Sequence, residues 1–441
     1  MTLSTVSVVQ YREPYESVKN ALFESGSMAR LKPGSRVFLK PNIVFWTRYC
    51  DFPKWGVITT SRVVEDVVTL LKEFGINHIT IGEGMVAKRG DRETPAHAFE
   101  SLGYNALADR YGVKLLNVFE RPFQKVELGD GISLNFNADM LESDFLINLP
   151  VLKSHNQTMV SLGIKNLKGL IDMPSRKKCH SADPERDLHY HVAKLTLPLP
   201  PSITLIDGIY SLERGPGFDG RMRRSNLLIS SADMLSADMV GAGALGYEPA
   251  AVPYINYAAA AAERSADLSD LEIKGEPAAA NLLPHRYDFE YKSDEEGEMP
   301  LALAREGIKG LYYRKFDDTM CTYCSALNGF ILTAIRQAWQ GVPWPKVEVL
   351  TGKKMEPAAG MENTVLVGQC MINKNKEHPN IKKALAAGGC PPDPAEIVRA
   401  LNEAGIAVND QIFARADLLP GLFMERYRGN PEYDSAFFTV E

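Results

Sequence analysis

A chain of 441 residues, 45% hydrophobic and 24% charged, has the balance of a globular protein large enough for more than one buried core. Its net charge of −6 argues against a nucleic-acid surface over the whole molecule. No apolar run of about 18 residues is present to span a membrane, and the N-terminus MTLSTVSVVQYREPYES lacks the basic and apolar regions of a signal peptide. A cytoplasmic protein is expected, with its six cysteines reduced and available as ligands, catalysts or small buried hydrophobes.

In chain order, STVSVVQ (4–10) and RVFLK (36–40) are short apolar runs with β-branched residues and read as strands. Between them, Val18, Leu22 and Phe23 keep helical spacing. Val63, Val67, Leu70 and Leu71 do the same in SRVVEDVVTLLKEFG, with Thr60 or Ser61 as N-cap and Gly75 as the stop. HITIGEG, VKLLNV, ESDFLINLP, SITLIDGI and SNLLISSAD read as further strands, and YNALADRYG as a helix. This alternation predicts an α/β fold: a mainly parallel sheet flanked by helices, with its ligand crevice at the carboxyl ends of the strands. An α/β domain is expected over 1–284 and an acidic, aliphatic-poor linker over 285–300.

Residues 301–441 read as a smaller C-terminal α/β unit. A long helix follows Cys324, strands lie in VPWPKVEVLTG and NTVLVGQC, and helices in NIKKALAAGG and DPAEIVRALNEAGI. Four of the six cysteines fall here, at points where the chain turns: Cys321 and Cys324 in C-T-Y-C, Cys370 at a strand end, and Cys390 before two prolines. One pair plus two dispersed thiols suits a four-thiolate site for a 4Fe-4S cluster or for zinc. The cluster is favoured, because zinc ribbons bring two close pairs and the neighbours Gly368, Gly388 and Gly389 let backbone amides approach sulfur. Buried packing and a redox dithiol at Cys321 and Cys324 are the other readings. Cys50 and Cys179 read as bystanders.

The stretch 147–171, INLPVLKSHNQTMVSLGIKNLKGLI, runs from an apolar strand into Lys153, His155, Lys165, Asn166 and Lys168. Lysines and a histidine at a strand end make an anion site, and a buried lysine or histidine there can act as acid or base; a solvated face is the plainer reading. Lys153 and His155 are the expected anion binder and proton donor and Asp207 their orienter, with Lys40, Asn42, Lys165, Asn166 and Lys168 binding substrate. His189 and His191 form an H-x-H pair near His180, a pattern that can bind metal, and RGPGFDGRMRRSN (214–226) reads as an anion clamp or a surface loop.

The succession K-P-N (40–42), N-L-P-V-L-K-S-H (148–155), G-I-K-N-L-K-G (163–169), I-D-G-I (206–209), G-P-G (215–217) and S-A-D-x-x-x-A-D (231–238) resembles the domain of unknown function 362 family over about residues 35–275. The resemblance implies an iron–sulfur protein of anaerobic metabolism and assigns no substrate. Members commonly carry the cluster on a ferredoxin-like module, and no C-x-x-C-x-x-C-x-x-x-C-P run exists here, so the dispersed cysteines must hold it. The family pattern falls on Lys40, Asn42, Lys153, His155, Lys165, Asn166, Asp207, Asp233 and Asp238. Three functions follow as expectations: an iron–sulfur oxidoreductase acting on an anionic small molecule, a non-catalytic electron-transfer or accessory protein with a redox partner, or a structural metal site.

Overall fold

The computed structural model describes residues 3–86, 90–276, 284, 285, 287 and 290–440. The chain divides into two compact units: Met1–Ser175 with His189–Tyr287 and Leu418–Glu441, and Arg176–Leu188 with Asp288–Asp417. Of the expected linker 285–300, residues 286, 288 and 289 lie outside the described residues, as do residues 277–283 before it.

The first unit is built on a sheet whose main path runs Leu271–Gly275, Ser4–Gln10, Arg221–Ser231, Ser202–Glu213, Phe145–Leu149, Arg36–Pro41, His78–Glu83 and Lys114–Asn117. Pairing along that path is parallel except on both sides of Arg221–Ser231. This is the mainly parallel α/β architecture expected from the alternation of elements. Its central strand Phe145–Leu149 is buried at every position, as a strand covered on both faces must be. Helix Ser61–Glu73 packs Val63, Val64, Val67, Val68, Leu70 and Leu71 into the core. Thr60 is its N-cap, but the Thr60 side chain makes no capping bond. Instead the Asp207 carboxylate accepts the Thr60 N–H at 2.7 Å, placing negative charge at the helix N-terminus. The chain's last segment returns to this unit through aromatic contacts. Trp55 lies 5.3 Å from Tyr427 and 6.0 Å from both Tyr433 and Phe438, and its indole N–H donates to the Asp434 carbonyl at 3.0 Å.

The second unit has a sheet ordered Tyr291–Asp294, Gly297–Pro300, Leu311–Tyr313, Val347–Leu350, Asn363–Val367 and Ala384–Ala387, parallel apart from the first pair. Two expectations are corrected here. Part of the acidic run 285–300 is a hairpin, with Tyr291 opposite Pro300 and Asp294 opposite Gly297. The segment NIKKALAAGG contains no helix; Ala384–Ala387 is a strand paired with Thr364–Val367. Alanine's helix preference is worth only some tenths of a kcal/mol per residue over most others. A ladder of backbone hydrogen bonds and the burial of Leu385 and Ala387 outweigh it.

Candidate functional site

In the second unit, the loops that follow four adjacent parallel strands meet at one end of the sheet, the carboxyl end where α/β sheets place ligands. The loop after Leu311–Tyr313 brings Thr319 and Cys321, and that after Val347–Leu350 brings Gly352 and Lys353. The next brings Gly368 and Cys370, and the last Gly389 and Cys390. Together with Cys324 these residues border one hollow of about 20 Å³. All four cysteines named from the sequence therefore line a single cavity, and among the described residues its lining holds no carboxylate and no imidazole. Cys321 and Cys324 are the inner pair, buried and half-buried, whereas Cys370 and Cys390 are exposed. Gly368 at φ 88° and Gly389 at φ 101° take backbone conformations that favour glycine. A side chain on Gly368 would also lie 3.5 Å from the Cys324 sulfur.

Cys321 is the N-cap of helix Thr322–Gln337. Its thiol is lowered to about 5, first by the neighbouring Cys324 thiol, against burial, and further by the amides of Cys324 and Tyr323 and the Lys353 ammonium. Cys324 is pushed far up by Cys321 and by burial. The pair thus holds one thiolate at neutral pH, at a helix N-terminus that favours it. Lys177, from helix Met173–Cys179, sets its Nζ 3.1 Å from the Cys390 sulfur and 5.1 Å from the Tyr323 ring centre. Burial opposes its charge, but Cys390, Cys321 and Tyr323 prevail and raise its pKa. Lys353 in turn donates to the Lys177 carbonyl at 3.2 Å and to the His180 carbonyl, and His180 Nδ1 donates to the Asp318 carbonyl at 2.7 Å.

The donor set fits a thiolate-ligated cluster: four sulfurs from turns around glycine-rich backbone. Among the described residues no three His, Cys, Asp or Glu side chains are grouped so as to hold one ion. The hollow has room for about one water. Four thiolates on a polynuclear core stand farther apart than on one ion. Cys370 and Cys390, being exposed, turn without disturbing a core.

The second constellation, in the first unit, is an interior network. Lys40 forms an ion pair of 2.9 Å with Glu83, both side chains essentially inaccessible. Lys40 also donates to the Pro41 carbonyl at 2.7 Å and to Asn166 Oδ1 at 3.3 Å. Glu83 accepts the N–H groups of Ile43 and Gly84 at 2.8 and 2.7 Å. Lys153 donates to Asn42 Oδ1 and to the Val57 carbonyl, both at 2.7 Å, and burial lowers its pKa to about 7. Asn166 joins the two lysines: its Oδ1 accepts from Asn42 Nδ2 at 2.8 Å, and its Nδ2 donates to Asn148 at 2.8 Å. Gly169 is required because a methyl there would come within 2.6 Å of both Lys40 Nζ and Glu83 Oε1. Lys40, Asn42, Lys153 and Asn166 are thus brought together, by bonds to one another.

Asp207, also buried, holds the Thr60 and Ile209 N–H groups, with its pKa raised to about 6 by burial. His155 Nδ1 accepts from the Gln157 and Thr158 amides at 3.0 and 3.3 Å, closing the turn after its strand. Lys165 is half-buried and Lys168 buried. Of the arginines after 214, Arg223 pairs with Glu213 at 2.6 Å and Arg224 lies over the rings of Tyr210 and Phe437, while Arg221 is exposed. His189 and His191 lie on helix Leu188–Lys194, where residues two apart face different directions, so they form no metal pair. Sequence reading assigned no role to Glu83 or Lys177. An acid at a buried strand end beside a lysine-bearing strand was a signal for the first. Nothing local signals the second, since Lys177 stands 213 positions from Cys390.

Asp238 accepts from the Gly163 and Ile164 amides at 2.6 and 3.0 Å and from Tyr254 at 3.1 Å, yet burial raises its pKa to about 7. An unfolded carboxyl titrates near 3.9, about three units lower. The folded chain therefore binds this proton more tightly. The stability it contributes is complete below about pH 4 and is lost as pH rises through about 7. Asp238→Asn should flatten that decline; urea midpoints measured across this pH window, variant against wild type, check it.

Fold and site together define a two-unit α/β protein whose second unit carries a four-thiol hollow. Residues 37–243 match the family model described as Domain of unknown function (DUF362), so the resemblance read from the motifs is shown over that range, ending short of the expected 275. The thylakoid-associated protein sll1697 of Synechocystis sp. is 28% identical over 243 residues, covering 54% of this chain and 71% of its own. The structure of the lactate racemase apoprotein from Thermoanaerobacterium thermosaccharolyticum aligns with all of this chain and 87% of its own, at 11% identity and a TM-score of 0.34. No helix among the described residues is long and apolar enough to cross a membrane.

Proposed function

We propose that this chain is a cytoplasmic iron–sulfur protein that carries a 4Fe-4S cluster on Cys321, Cys324, Cys370 and Cys390 and serves in electron transfer. One observation supports this above the rest: four thiols from three separate loops border one hollow that, among the described residues, no carboxylate or imidazole lines. When bound, such a cluster supplies one-electron redox chemistry. The chain's own residues do the rest. Cys321 offers a ready thiolate at a helix N-terminus, Gly368 brings backbone close to the Cys324 sulfur, and Lys177 and Lys353 offset negative charge.

An enzyme of anaerobic metabolism acting on a small anion has less support. Lys40, Lys153 and Asp207 are bonded inside the first unit, whereas Cys370 and Cys390 are exposed, within reach of a redox partner protein. Anaerobic purification with iron, sulfide and zinc analysis and an EPR spectrum of the reduced protein tests the proposal. The expected result is about four irons and about four sulfides per chain and a paramagnetic reduced state. One zinc and redox silence would make the site structural. No metal, with reversible oxidation of Cys321 and Cys324, would make it a dithiol.

A further inference from the structure

Lys177 sets its ammonium at hydrogen-bond distance from a thiol of the hollow, 3.1 Å from Cys390. Its position is fixed from three sides. The Tyr323 ring lies beneath the ammonium, the Cys390 sulfur accepts from it, and Lys353 grips the carbonyls of Lys177 and His180. The contacted sulfur belongs to one of the two exposed cysteines, where water competes most for the ligand. Among the described residues, no carboxylate lines the hollow to cancel the charge.

We propose that Lys177 is the positioning residue that sets the reduction potential of the cluster, by donating a charged hydrogen bond to the Cys390 ligand; this rests on the iron–sulfur reading above. Reduction takes one electron from an external donor, such as dithionite or a partner protein, and leaves the cluster and its thiolates one charge more negative. Lys177 stabilises that reduced form more than the oxidised one, because a unit charge in a partly buried setting is weakly screened. Hydrogen bonds to cluster sulfurs and local charge are among the determinants of such potentials. Lys177 therefore holds the potential up.

The test is an EPR-monitored redox titration of the full-length, anaerobically purified protein, with iron and sulfide counted in each sample. Lys177→Met keeps the apolar stem and removes the charge. Its midpoint should fall by at least a tenfold change in the reduction equilibrium, about 59 mV for a one-electron couple. Lys177→Gln keeps an N–H donor without charge and should fall between Met and wild type, which preserves the comparison if the Met variant loads poorly. Lys177→Arg should stay near wild type, as should Lys382→Met, which removes a cation engaged with Glu362 at 2.7 Å. Iron absent from the wild type would remove the iron–sulfur reading itself. A full cluster in Lys177→Met and Lys177→Gln at an unchanged midpoint would overturn the role of Lys177 alone.

Discussion

Replacing Glu83 by Ala is expected to cost the first unit about 3–5 kcal/mol, seen as a lower urea midpoint. The loss would take away the carboxylate 2.9 Å from the Lys40 ammonium, in a site where the Lys40 side chain has no access to water. It would also orphan the Ile43 and Gly84 amides that Glu83 now satisfies. Removing both charges should be far milder. Lys40→Met combined with Glu83→Leu is expected to fall within about 1–2 kcal/mol of wild type, since apolar pairs of similar volume often replace buried ion pairs without loss. The exposed pair Lys382–Glu362 gives the contrast: Lys382→Met should change stability by no more than about 1 kcal/mol. A cycle in which Glu83→Ala cost no more than Lys382→Met would mean that water reaches Lys40, and the substrate-binding reading of K-P-N and K-N-L-K-G would regain force.

That contrast bears on what the motifs are for. Lys40, Asn42, Lys153 and Asn166 were legible as a set, because polar residues at the ends of apolar strands are costly unless something uses them. What uses them was not legible. A lysine at a strand end looks the same in sequence whether it faces a ligand or an interior carboxylate. Asp207 shows the same ambiguity: a strand-end acid reads as a catalytic orienter until it is found holding the Thr60 amide at a helix start.

The fold was more readable than the site. Runs such as FLINL and SVVQ are β-branched and apolar, and the valines and leucines of 63–71 keep helical spacing, so local pattern and tertiary role agree. They disagree at Ala384–Ala387, where a strong local helix former is taken as a sheet's edge strand. The thiol hollow lay between these cases. Its cysteines stood out by rarity and by their turn positions, but the neighbour that distinguishes Cys390 arrives from residues 176–188, a segment separated from the rest of its unit by about a hundred positions of intervening chain. Sequence spacing carries no trace of that meeting.

Serine at Cys370 or at Cys390 should weaken metal retention by on the order of 100-fold or more, since even residues that only support a ligand cost 10–100-fold. The two positions decide between the four-thiol site and a dithiol. Both cysteines are exposed, so exchanging sulfur for oxygen should alter the stability of the metal-free fold by no more than about 0.5 kcal/mol. Iron lost at unchanged stability would then report ligation. In a Cys321–Cys324 dithiol the same two substitutions would leave the chemistry untouched, because the inner pair already supplies thiolate, thiol and helix N-terminus. Cys50→Ser is the matching control: its sulfur lies in the first unit, 3.6 Å from the Leu418 carbonyl, and it should keep full iron. Full iron in the Cys370 and Cys390 variants as well would remove the four-thiol assignment, since each substitution leaves three sulfurs and one iron of a four-iron core without its thiolate.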